Sequence, residues 1–158
     1  MKEISLTRGK MAIVDDEDYD YINQWKWQYL PVGYAARNFK KNDNGVRPLV
    51  YMHCMIVPHP EGMQTDHANQ NKLDNRRDNL RVCSRSQNYI NGGLRADNSS
   101  GVRGVVWHRA SQKWEASIGY NGKRIHIGLY NDIGCASKAY SNKSRELFGV
   151  FSNAELEE

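Results

Sequence analysis

Apolar and polar residues alternate over residues 2–14, with Ile4, Leu6, Met11 and Ile13 apolar and Val14 closing the run. That period of two predicts a pair of strands around a turn at Arg8-Gly9. Asp15 to Asp20 offers N-caps for a short helical pattern, Tyr21-Ile22-Asn23-Gln24-Trp25. Alternation returns in Trp25-Lys26-Trp27-Gln28-Tyr29 and, less cleanly, in Tyr34 to Phe39, predicting a hairpin closed by Pro31-Val32-Gly33. The aromatics of this hairpin are expected in the core. Lys40 to Pro48 is a polar loop holding the turn pair Asn44-Gly45. Leu49 to Val57 is an apolar run whose period leaves strand and helix both open, and Pro58 to Gly62 ends it.

Further on, Met63 to His67 reads as a strand and Leu80 to Cys83 as its antiparallel partner, with Ser84-Arg85-Ser86-Gln87 forming a capping box that opens a helix. Gly92 to Ser100 is small, polar and glycine-bearing, the composition of a linker. Three strand-like runs follow, 102–109, 113–120 and 123–130, with turns at Ala110-Ser111-Gln112 and at the hairpin pair Asn121-Gly122. Between Asp132 and Gly149 the period becomes helical: Ala136, Ala139, Tyr140, Lys143, Leu147 and Phe148 share one face, with Asp132 as N-cap and Gly149 as C-cap. The expected organisation is α+β in two parts: 1–92, with its core motif at 49–92, then a linker at 93–100, a second domain at 101–153 and an acidic tail at 154–158.

The chain has 158 residues and a formal charge of +4, a mild excess whose distribution matters more than its sum. Acids gather in Asp15-Asp16-Glu17-Asp18 and in Glu155 to Glu158. The stretch 95–130 instead holds six basic residues, Arg95, Arg103, Arg109, Lys113, Lys123 and Arg124, against Asp97 and Glu115. That is the footprint of a nucleic-acid partner, with an ordinary solvated face as the plain alternative. Cys54, Cys83 and Cys135 are odd in number and widely spaced, which argues against a disulfide framework or zinc ribbon and for reduced thiols. No apolar run has membrane-spanning length and the N-terminus lacks a signal pattern, so the expectation is a soluble protein that is not exported.

The chemistry lies in residues 65–88. Asp66 near the end of one strand and Asn88 in the first turn of the following helix can both offer oxygen to one cation, a donor set suited to Mg²⁺ or Mn²⁺. A His of ordinary pKa, roughly 6.5, is largely neutral at working pH and can take a proton from water. The string from Thr65-Asp66-His67, through the Asn-rich loop, to Asn79-Leu80-Arg81 and the helix bearing Asn88 resembles the His-Asn-His (HNH) nucleases of the phage homing-endonuclease kind. His67 precedes Asn79 by twelve residues and Asn88 by twenty-one, as that family's ββα-metal motif needs. The resemblance implies Asp66 and Asn88 as ligands of a divalent metal, His67 as general base, and Asn79 as the amide that pins the loop and orients His67. Many relatives carry Asp-Gly-Asn where this chain has Asn69-Gln70-Asn71.

His53 matches a histidine found upstream in such nucleases and is read as structural in preference to phosphate-contacting. A zinc site drawn from His53, Cys54, His59 and Cys83 fits no known spacing. Arg76, Arg77, Arg81 and Arg85 flank the motif and could clamp the scissile backbone, with Arg76, Arg77 and above all Arg85 chosen as phosphate contacts.

Residues 99–153, with Ser99-Ser100-Gly101-Val102-Arg103-Gly104-Val105, Lys113 to Ile118, Arg124 to Gly128 and Ala136 to Tyr140, resemble the ethylene-response-factor (APETALA-type) DNA-binding domain. That family is a three-stranded antiparallel sheet packed on one helix, its open face in the major groove. The period of two places Trp114, Ala116, Ile118, Ile125, Ile127 and Leu129 toward the helix. Arg103, His108, Arg109, Lys113, Arg124 and His126 are the expected DNA contacts, with Trp107 and Trp114 as packing residues. The plant factors carry Glu and Arg where this chain has Ser117 and Gly119, so their sequence preference does not transfer.

The resemblances together imply a metal-dependent DNA endonuclease of phage or mobile-element kind. Its fold would be a ββα-metal domain with extra hairpins followed by the sheet-and-helix domain. The expected partner is double-stranded DNA, in the cytoplasm of a bacterial host, with the protein a monomer or weak dimer and no obligate protein partner. The alternative is a DNA-binding transcriptional regulator with a vestigial nuclease motif, against which the intact Asp66, His67 and Asn88 count.

Overall fold

The computed structural model describes residues 1–41, 43–94 and 96–152. The acidic tail at 154–158, Arg95 and the expected domain end at 153 lie outside them. The fold is α+β, with several small antiparallel sheets, and the chain divides into two compact units, Met1–Ser84 and Arg85–Glu158. The division falls before the helix expected to close the first domain, ahead of the proposed linker at 93–100. The reason is packing: Ile90 on that helix is 2% exposed and belongs to the second unit's core.

In the first unit, β1 (Lys2–Ser5) and β2 (Met11–Val14) form the expected hairpin, its turn carrying Arg8 and Gly9 at φ of 63° and 66°. α1 (Asp16–Ile22) starts earlier than the helical pattern suggested. Asp15 occupies its N-cap position without capping; its carboxylate accepts from the Arg77 backbone N–H at 2.8 Å. β3 (Gln28–Tyr29) and β4 (Ala35–Asn38) make the second hairpin, and β5 (Leu49–Tyr51) adds to β4. The ambiguous run 49–57 is therefore both things in turn, since α2 (Met52–Ile56) follows β5 directly. Ile4, Val14, Ile22, Trp27 and Met52 fill the core, each large apolar side chain contributing about 1.5–3 kcal/mol by burial. Phe39 departs from the core expectation: it is 44% exposed and, with Trp25, lies against the Arg37 guanidinium at 4.5 and 4.2 Å from the ring centroids. β6 (Gln64–His67) and β7 (Leu80–Cys83) close the unit as an antiparallel pair, with His67 opposite Leu80.

In the second unit, α3 (Arg85–Asn91) precedes a three-stranded antiparallel sheet of β8 (Val105–His108), β9 (Lys113–Tyr120) and β10 (Lys123–Tyr130), with α4 (Ile133–Phe148) packed on it. The β9–β10 turn puts Asn121 and Gly122 at φ of 50° and 74°, the positive values a two-residue hairpin requires. Asp132 caps α4 by accepting from Cys135 N–H, and Gly149 ends it at φ 53°. The buried stripe of α4 is Ala136, Tyr140, Ser144 and Phe148, so Ser144 takes the place expected of Lys143, its hydroxyl bonded to that of Ser152 at 2.8 Å. Leu129 is also displaced from its expected face. A bulge between His126 and Gly128 shifts the strand's phase, pairs Leu129 with Glu115 and leaves it 41% exposed. Gly104, at φ 68°, lies where a Cβ would come within 2.1 Å of the Tyr140 ring, so the strand can approach α4 only without a side chain there. No helix among the described residues is long and apolar enough to cross a membrane.

Candidate active site

The hairpin β6–β7 is joined by a polar loop, 68–79, that the rest of the first unit holds from below. β2 grips it at Ile13, whose N–H donates to Leu73 O and whose carbonyl accepts from Asn75 N, both at 2.8 Å. α1 grips it at Asp18, which is 5% exposed and takes both Arg77 Nε and Nη2 at 2.8 and 2.7 Å. The acidic run that reads as helix capping in the sequence therefore fastens the motif loop.

Inside the loop, amides replace regular structure. Asn79 accepts from Asn69 N–H at 2.9 Å and donates to Asp74 O at 2.7 Å, pinning the two sides together. Asp74, 4% exposed, accepts Arg76 bidentately at 2.8 and 2.7 Å and Asn69 Nδ2 at 2.9 Å. These bonds hold the Asp74 carboxyl below the usual carboxylate value, Arg76 being the largest cause. Gln70 adopts φ 63°, a left-handed conformation that favours glycine.

His67 sits at the end of β6 and is 4% exposed. Its Nε2 lies 3.2 Å from Asn75 Oδ1, and Asn75 Nδ2 donates to Leu73 O, which fixes which end of the amide faces the ring. An acceptor there suits the tautomer protonated at Nε2. Burial pushes the His67 pKa below 6.5, with the Asn75 bond and the Asp66 charge opposing, so the imidazole is neutral at neutral pH. Tyr34 and His53 wall the ring at centroid distances of 5.9 and 4.9 Å. His53 stacks on Tyr51 at 5.4 Å, and burial, with the neighbouring His67 and His59, pushes its pKa down to about 3. A neutral, 7% exposed His53 is a wall and makes a poor phosphate contact.

Asp66 is 7% exposed and faces its cross-strand partner Arg81, whose Nε and Nη2 reach Oδ2 at 3.1 and 3.0 Å. A carboxylate accepts at both oxygens, so this pairing is compatible with metal ligation. Among the described residues no three of His, Cys, Asp and Glu converge on a common point. Cys54 Sγ and His59 Nε2 are 3.8 Å apart, and His59 Nδ1 lies 3.1 Å from Pro60 O. The Asp66 carboxylate is a hard oxygen donor, the kind that divalent Mg²⁺ or Mn²⁺ takes.

Arg76 and Arg77, read from sequence as phosphate contacts, are thus engaged with Asp74 and with Asp15, Glu17 and Asp18. Asn75 and Asp74, which the sequence reading passed over, carry the ring contact and the loop. Their signal was the Asp-Asn-Arg triplet ahead of Asn79, easily taken for turn composition.

In the second unit, Arg85 and half-buried Asn88 lie on α3. Arg103 Nη1 donates to Tyr89 O at 3.1 Å, and its Nη2 donates to Gly92 O and Gly93 O, so the cation closes the C-terminus of α3. The open sheet face carries Glu115 with Arg124 at 3.2 Å and His126 at 3.4 Å. His108 bonds Ser111 at 2.7 Å, Arg109 is exposed, and Lys113 pairs with His108 across the strands.

Residues 58–89 match the family model described as HNH endonuclease. An uncharacterized HNH endonuclease of Acanthamoeba polyphaga mimivirus is 26% identical over 145 residues, covering 92% of this chain and 74% of that protein. Protein 3.8 of Escherichia phage T7 is 28% identical over 95 residues, covering 60% of this chain and 78% of its own length. No solved structure matches the chain.

Proposed function

The chain is a nuclease with an HNH endonuclease domain at residues 58–89, and from that premise we propose that it hydrolyses DNA phosphodiester bonds with His67 as general base. The observation that carries the reading is the buried, neutral His67 ring, oriented by Asn75 at 3.2 Å. The neutral imidazole takes the proton from the attacking water, while Asn75 holds the ring in place. Asp66 is the charged oxygen ligand for a divalent cation, Mg²⁺ or Mn²⁺. Asn88 is the second ligand, an assignment taken from the motif. The cation, when bound, would neutralise charge developing on the phosphate and the leaving oxygen. Asn79 supports the chemistry through the loop. The hydrolysis leaves a 5′-phosphate and a 3′-hydroxyl, as the resemblance to homing nucleases implies.

The second unit reads as the DNA-docking part, in line with its likeness to the ethylene-response-factor domain. Lys113, Arg124 and His126 lie on one side of the sheet, His108 pairs with Lys113, and exposed Arg109 follows in the turn after β8. The viral relatives fit a phage or mobile-element role. Supercoiled plasmid with Mg²⁺ or Mn²⁺ tests the proposal: the parent should nick or linearise it and His67→Ala should not. Equal cleavage by both would remove His67 from the chemistry.

A further inference from the structure

A cleft of about 550 Å³ opens within the second unit between α3 and the β9–β10 hairpin. Arg85, Lys123 and Arg124 line it together with Tyr89, Tyr120 and Ser117, and no carboxylate belongs to its lining. Arg124 is held by Ser117 Oγ at 3.0 Å and by Glu115 at 3.2 Å, whereas Arg85 and Lys123 are exposed. A volume of this size matches ordinary ligand clefts, roughly 300–1,000 Å³, and its cations call for an anionic occupant.

Tyr89 decides what kind of anion. Tyr89 is 58% exposed, a large surface for an aromatic residue without core duty. It borders this cleft and also a second one, of about 300 Å³, that Arg103 lines. The Arg103 guanidinium sits 5.3 Å from the ring centroid and is fastened to the carbonyls of Tyr89, Gly92 and Gly93. The ring is thus braced from the Arg103 side and offered to the basic cleft. A rigid aromatic platform beside cations is how proteins hold an unstacked base and its phosphate.

We propose that this cleft binds one unstacked nucleotide of a single-stranded DNA segment, its base on Tyr89 and its phosphate between Arg85 and Lys123. The inference deepens the DNA-nuclease reading and rests on it for the identity of the strand. The test uses the full chain in EDTA, where no cleavage intervenes, and a fluorescent single-stranded oligonucleotide carrying 2-aminopurine. Tyr89→Ala should weaken binding about tenfold, the loss of one stacked base, and Tyr89→Phe should bind as the parent does. An oligonucleotide with abasic sites should lose affinity for the parent and not for Tyr89→Ala. Lys123→Gln should lower the salt slope by about 0.7, one phosphate contact on a single strand.

Abasic and base-bearing strands binding the parent equally would overturn the proposal, as would a Tyr89→Phe loss as large as that of Tyr89→Ala. The abasic comparison needs no variant, so it stands even if Tyr89→Ala fails to fold. Plasmid cleavage by the parent and by His67→Ala is scored separately, so a failed nuclease reading and a failed nucleotide cleft give different results.

Discussion

Asn75 Oδ1 lies 3.2 Å from His67 Nε2, and Asn75 is itself fully buried, with its N–H on Ile13 O and its amide on Leu73 O. The orientation of the proposed base is therefore set from β2 through one side chain. Asn75→Ala should lower kcat about 10–100-fold, the usual scale for losing an orienting partner, with KM close to the parent's. A purely structural role predicts instead a lower Tm and a proportional loss of active protein. Single-turnover cleavage alongside thermal unfolding separates the two, and an unchanged kcat in a folded variant would dismiss the positioning role.

Gln70 at φ 63° holds a conformation costing a non-glycine residue roughly 1–2 kcal/mol. It is exposed, so little packing is lost on truncation. Gln70→Gly should stabilise the first unit by about 0.5–1 kcal/mol, because strain relief exceeds the entropy glycine adds to the unfolded chain. Urea unfolding measures it, and a destabilised variant would mean the Gln70 side chain contributes more than its geometry costs.

Much of this was legible in the sequence where local rules coincide with tertiary demand. The Asn121-Gly122 turn and the Asp132 cap each follow from short-range chemistry, whereas the His67, Asn79 spacing is legible only through the resemblance to the HNH nucleases. What stayed hidden depends on long-range partners. Asp15 reads as a cap but serves Arg77 N from the far end of the unit. Asn79 was expected to pin the loop and orient His67; its amide bonds go to Asn69 and Asp74 within the loop, and it is the neighbouring Asn75 that faces the ring. Two asparagines four residues apart in a polar loop carry the same composition signal and differ only in where the fold points them. Ser144 looked polar and was left out of the helical stripe, because no pattern rule foresees a hydroxyl satisfied by Ser152.

Arg77 separates two readings of a motif arginine. Its pairing with nearly buried Asp18 at 2.7 and 2.8 Å makes it a clamp between α1 and the loop. Removing it leaves a buried carboxylate short of its partner, which costs about 1–3 kcal/mol. Arg77→Gln should therefore lower Tm while leaving the salt slope of DNA binding at the parent's value. A slope reduced by about 0.9 on duplex DNA, with Tm intact, would restore the phosphate-contact role first expected of it.

Asp74 gives the acid limb of stability a defined source. Its carboxyl is held below its ordinary 3.8 chiefly by the Arg76 pair, so the folded state binds its proton less readily than the unfolded chain. For a depressed acid, the stabilisation is fully present above the unfolded value, near pH 3.8, and disappears as pH falls through the lower folded value. Asp74→Asn keeps the shape but abolishes the charge on which Arg76 and the loop depend. At pH 7 it should be less stable than the parent by about 1–3 kcal/mol, the range for charged hydrogen bonds. The difference should shrink as both proteins are taken below pH 4, since the parent's own Asp74 then becomes neutral. Urea midpoints measured from pH 7 down to pH 2.5 decide it. A constant gap across that range would show that Asp74 acts through the shape of its hydrogen bonds, with its charge immaterial.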